Sequence, residues 1–99
     1  MATPHLKGYV LQLLHARGRL WDYEVIQAVA TDYGLPGPYW AGTVRLTLID
    51  LYACGLITEL QAAVDPTKSD GEERILFQYE LNEFGLDRMV QSGLLEGAR

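Results

Sequence analysis

Apolar residues recur with a helical period three times along the chain, and the period then switches to two. Leu6, Tyr9, Val10, Leu13 and Leu14 stand at i, i+3, i+4, i+7 and i+8, which is one face of a helix. Thr3-Pro4 is a good opening for it: a hydroxyl N-cap, then a proline whose missing N–H no partner needs. Gly18 fits just past its end. Arg19-Leu20-Trp21 then reads as a short extended strand. Val25, Ile26, Val29, Ala30 and Tyr33 make the stripe of a second helix, capped by Asp22 and ended by Gly34. Two glycines and two prolines within residues 34–38 cannot continue a helix and predict a stiff turn. A third helix opens at Pro38, points Val44, Leu48 and Leu51 inward, and closes at Gly55.

From Leu56 the alternation places Leu56, Thr58, Leu60, Ala62 and Val64 on one face of a strand, and Ile57, Glu59, Gln61 and Ala63 on the other. Residues 65–73 are polar and rich in turn formers, too long for a tight hairpin. Ile75, Phe77, Tyr79 and Leu81 alternate with Leu76, Gln78 and Glu80, so a second strand pairs with the first. Asn82 caps a last short helix with Leu86, Met89 and Val90 as its stripe, and Ser92-Gly93 breaks it. The predicted fold is α+β and mostly α. It has a three-helix core, a β-hairpin and a short C-terminal helix, the order of a winged helix-turn-helix. Residues 1–92 are expected to form one domain, with 93–99 a frayed tail.

Composition narrows the function classes. With 99 residues, 48% hydrophobic and 21% charged, the chain has globular rather than disordered character. Eight Lys and Arg against thirteen Asp and Glu give a net charge of −5, so any DNA binding must rest on a local basic patch. The single cysteine, Cys54, excludes an internal disulfide, and its apolar neighbours predict a core or partly buried thiol. The start of the chain does not read as a signal peptide, and no run of roughly 18 apolar residues predicts a membrane span. A cytoplasmic protein is expected. His5 and His15, ten residues apart on the first helix, face different sides and have no Cys or carboxylate at ligand spacing. No GxSxG, phosphate-loop or HExxH pattern occurs. The expectation is a non-enzyme without metal or cofactor.

The candidate chemistry lies on the third helix. With Val44, Leu48 and Leu51 inward, Arg45, Leu46, Ile49, Asp50 and Tyr52 lie at the flanks or outside. One reading is a DNA-reading helix. Arg45 would pair bidentately with a guanine, and Thr43 and Thr47 would contact phosphates or a thymine methyl. Lys68 and Arg74 of the hairpin would touch the duplex backbone, and Arg17 and Arg19 would either add a phosphate contact or complete a helix C-terminus. The other reading is a protein-interaction surface. Leu46 and Ile49, one turn apart, make an apolar ridge with Tyr52. Trp40, with Tyr33 and Tyr39, either lines a small-molecule pocket, anchors a partner or packs the second helix against the third.

These residues also resemble a known family. Gly42-Thr43-Val44, Leu48, Leu51 and Gly55-Leu56-Ile57 are similar to the third helix and first wing strand of PadR-like winged-helix regulators, with MarR-like proteins as wider relatives. The run from Leu20 to Ile26 resembles the short strand and second helix of that family. The run from Tyr79 to Gly85 resembles its second wing strand and the start of its C-terminal helix. The resemblance spans about residues 5–90. It implies a cytoplasmic transcriptional regulator, a small dimeric repressor on double-stranded DNA, with the third helix in the major groove and the wing on flanking backbone. A homodimer would use the first helix or the segment around Leu94-Leu95.

Overall fold

Four helices and a three-stranded antiparallel sheet follow one another in the computed structural model, which describes residues 5–64 and 75–94. Helix α1 (Leu6–Arg17) buries Val10, Leu11 and Leu14, with Leu6, Tyr9 and Leu13 half-buried beside them. Its N-cap is His5; the Thr3-Pro4 opening lies outside the described residues. Strand β1 (Arg19–Trp21) leads into α2 (Asp22–Tyr33), which buries Val25, Ile26 and Val29. Helix α3 (Gly37–Ala53) buries Val44, Leu48 and Leu51, as the spacing predicts, and Pro38 sits in its first turn. These apolar faces meet in one core with Leu20, Leu56, Ile57, Tyr79 and Met89.

Two local expectations are corrected. The N-cap of α2 is Trp21 rather than Asp22, and the Trp21 N–H donates to the Glu24 carboxylate at 2.8 Å. Asp22 turns inward instead, where its carboxylate accepts from the Phe77 N–H at 3.4 Å. Cys54 is exposed rather than buried, because the helix ends there and the chain reverses through Gly55 at φ 79°. That left-handed backbone is strained for any residue with a Cβ.

Strand β3 (Ile75–Leu81) is central, with β1 on one side and β2 (Ile57–Val64) on the other. Leu20 pairs with Tyr79, and Ile57 with Leu81. The expected face assignment along β2 is wrong, and a bulge is the reason. Glu59 pairs with Tyr79 and Gln61 with the adjacent Gln78, so Leu60 is an extra residue. One inserted residue shifts the phase of everything beyond it. Ile57 and Glu59 therefore share a face with Ala62 and Val64, and not with Gln61 and Ala63. On β3 the expected alternation of faces holds, with Ile75 exposed at the strand's start and Leu76 buried on the opposite face.

Helix α4 (Glu83–Gln91) is capped as the sequence predicts: the Asn82 side chain accepts from the Gly85 N–H at 2.8 Å, and Met89 is fully buried. Beyond α4 the chain does not fray at once. Leu94 packs on the core over Gly8, and its carbonyl accepts from Gln12 Nε2 at 3.1 Å. Residues 95–99, the rest of the expected tail, lie outside the described residues.

Candidate functional site

Helix α3 presents two flanks and an outer ridge. Leu46, Ile49 and Tyr52 are 64%, 54% and 50% exposed, as the helical period requires of residues turned away from Val44 and Leu48. Asp50 lies on the flank toward α1, where its carboxylate is 3.8 Å from Lys7 Nζ; both groups are solvated, so the pair contributes little. Thr43 is exposed. Thr47 is buried, and its hydroxyl donates to the Thr43 carbonyl at 2.9 Å, so it is spent within the helix. Trp40 is half-buried, with its ring edge-to-face against Tyr33 at 5.2 Å and Tyr39 at 5.1 Å. This aromatic chain, continued by Tyr9 against Tyr33 at 5.3 Å, packs α1, α2 and α3 together. Lys68 and Arg74 lie outside the described residues.

Arg45 stands on the flank of α3 that faces the sheet. Its Nε is 3.9 Å from Asp22 Oδ2, and only 21% of its side chain is exposed. The guanidinium is therefore held against a buried carboxylate at the start of α2 rather than presented outward. Asp22 in turn sits at a helix N-terminus, where backbone N–H groups favour a negative charge.

Between α3 and β3 lies a cleft of about 210 Å³. Leu48 and Ile49 wall it on the helix side, and Ile75, Phe77 and Tyr79 on the strand side. Asp22 and Arg45 supply its polar groups. The rings of Tyr52 and Tyr79 stand 6.4 Å apart and extend the apolar surface along the helix. The Tyr79 hydroxyl is pushed up to about 12, chiefly by burial and further by the negative charges of Glu59 and Asp22, so it is a neutral donor at physiological pH.

The structure thus brings Arg45 together with Asp22, and Ile49 together with Ile75, Phe77 and Tyr79. Sequence reasoning placed Ile75, Phe77 and Tyr79 on one face of a strand and missed the cleft. No periodicity signals it, since it arises from two elements that are distant in sequence. Among the described residues no three His, Cys, Asp or Glu side chains are grouped to hold a metal ion, and no helix is long and apolar enough to cross a membrane. No family model, curated protein or solved structure matches the chain.

Proposed function

We propose that this chain is a winged-helix domain that docks another protein on the face between α3 and the β2–β3 hairpin. The order α1-β1-α2-α3-β2-β3-α4, with β3 central in the sheet, supports the winged-helix reading. The observation that carries the docking reading is the inward turn of Arg45 onto Asp22. A helix that reads DNA needs free donors for base edges and cations for phosphates. Here the helix's arginine is paired and Thr47 is internally bonded, while Leu46, Ile49 and Tyr52 face outward. Large apolar and aromatic side chains around a recess are the usual anchors of protein interfaces. The cleft, about 210 Å³, falls below the roughly 300–1,000 Å³ of pockets for drug-sized ligands and suits a single large side chain of a partner.

The second reading is a dimeric DNA-binding repressor. The element order favours it, together with the resemblance to PadR-like regulators and the exposure of Thr43 beside the outer ridge. The two readings make opposite predictions. Under docking, Leu46→Glu with Ile49→Glu abolishes capture of the partner from a lysate of the source cells, and Arg45→Ala leaves capture intact. Under DNA binding, random duplex DNA raises the fluorescence anisotropy at low salt, the signal falls steeply with added salt, and Arg45→Ala removes specific binding. Binding to duplex DNA that the double variant leaves unchanged would overturn the docking reading.

A further inference from the structure

The polar end of the cleft between α3 and β3 narrows what docks there, an inference that rests on the docking reading. Ile49 and Ile75, each 54% exposed, stand at the mouth of the cleft, whereas Leu48 and Tyr79 are buried at its base. Asp22 and Arg45 form its polar end. Their separation of 3.9 Å, from Nε to Oδ2, is an ion-pair distance beyond hydrogen-bond reach. Arg45 Nε is itself buried and finds no hydrogen-bond acceptor among the described residues. A buried donor left without an acceptor is costly and marks a place for a further group. The remaining walls are hydrocarbon and aromatic ring, so that group needs a large apolar body behind a polar tip.

We propose that the cleft is a tyrosine subsite: a partner protein inserts one tyrosine ring between Ile49 and Ile75, and its hydroxyl accepts from Arg45 Nε and donates to the Asp22 carboxylate. Charge and hydrogen-bonding capacity select this occupant. A Lys or Arg would set a second cation beside the Arg45 guanidinium. An Asp or Glu would meet Asp22 and Glu59, whose negative charges, after burial, already raise the Tyr79 hydroxyl on the cleft wall. Phe brings no acceptor, and the Trp N–H only donates, so either would leave Arg45 Nε unmade. Ser, Thr, Asn, Gln and His donate and accept but are too small or too polar to cover Ile75 and Phe77. A neutral phenol donates and accepts, and its ring suits packing against the Phe77 and Tyr79 rings. An oxygen about 2.9 Å from both atoms spans the 3.9 Å gap, after a small side-chain adjustment of the kind common at interfaces.

Amide NMR titration of the full chain with N-acetyltyrosinamide and N-acetylphenylalaninamide, which differ only by the hydroxyl, tests this. Both should shift the resonances of Ile49, Ile75 and Phe77. The tyrosine amide should bind about fivefold more tightly, the fold-change of one net hydrogen bond. Arg45→Met keeps an apolar stem and removes the donor. It should bring the two affinities within about twofold, with the phenylalanine amide binding as before. A loss of that size at one subsite leaves partner capture in place, since the Leu46 and Ile49 ridge carries it. Ile75→Trp, at an exposed position, fills the mouth and should abolish binding of both amides, so the test does not depend on how Arg45→Met folds. Equal affinities of the wild type for the two amides overturn the proposal and leave the docking reading to its own test by the Leu46 and Ile49 variants. A preference that Arg45→Met preserves also overturns it, as do shifts confined to residues remote from the cleft. If 4-methylphenol shifts the cleft residues and neither amide does, the occupant is a free small molecule and the proposal is equally overturned.

Discussion

Arg45 Nε lies 3.9 Å from Asp22 Oδ2, joining the flank of α3 to the first turn of α2, and the carboxylate side chain is only 4% exposed. Removing one member of a buried pair leaves the other charge uncompensated. Asp22→Ala is expected to lower the unfolding free energy by about 2–3 kcal/mol, short of the full range for a buried pair because Arg45 keeps contact with water. Asp22→Asn retains an acceptor for the Phe77 N–H and should lose less. Urea titrations of the two variants measure the difference. Equal stabilities of the two variants would show that the acceptor for the Phe77 N–H carries no energy, and an Asp22→Asn variant as stable as the wild type would show that the pair carries none.

Two glycines are expected to respond in opposite directions. A Cβ on Gly85 would stand 2.1 Å from the Leu56 carbonyl oxygen, a backbone atom that cannot swing aside. Gly85→Ala must push α4 off the start of β2 and should lower stability by about 2 kcal/mol or more. Gly42 lies within α3, and a Cβ added there would meet nothing within 4 Å. Gly42→Ala should raise stability by about 0.5–1 kcal/mol through helix propensity, an increase of a few degrees in Tm. Thermal unfolding of both variants checks the pair of signs.

Asn82 ties three segments together. Its Oδ1 caps α4, while Nδ2 donates to the Gly55 carbonyl at 2.9 Å and to Thr58 Oγ1 at 3.3 Å. Asn82→Ala is expected to lower stability by about 1–2 kcal/mol, and Asn82→Ser, which restores only the cap, by less. Chemical denaturation of the two variants separates the cap from the turn contacts.

Alkaline pH should destabilise the fold. The Tyr79 hydroxyl is raised from its ordinary value near 10 to about 12, first by burial and then by Glu59 and Asp22. Tyr9 is raised further, by burial and by donating a hydrogen bond to the Asp32 carboxylate. A phenol that holds its proton more tightly when folded stabilises the fold fully below the unfolded pKa, and that stability is lost as pH rises through the folded one. The urea midpoint should therefore be insensitive to these groups below pH 10 and fall between pH 10 and 12. Tyr79→Phe should flatten part of that fall. A wild-type midpoint constant across the window would sink the assignment.

The helices, their inward faces and their stops follow from local chain properties that periodicity and glycine placement record directly. Val44, Leu48 and Leu51 are inward because a helix allows no other disposition of that spacing, and Leu46, Ile49 and Tyr52 are outward for the same reason. The Asn82 cap is equally legible, since it needs only the residues beside it. Tertiary structure alone decided the rest. Asp22 reads as a cap in the sequence and is a buried acceptor in the fold, because β3 brings the Phe77 N–H to it. Arg45 reads as a cation at the flank or outside of its helix and is a partner of Asp22 across two helices. Leu60 fits the alternation and is a bulge, because strand register is set by the partner strand and not by the strand's own pattern. Spacing along a chain specifies which way a side chain points from its own element. What it meets there depends on elements distant in sequence, and only packing brings those together.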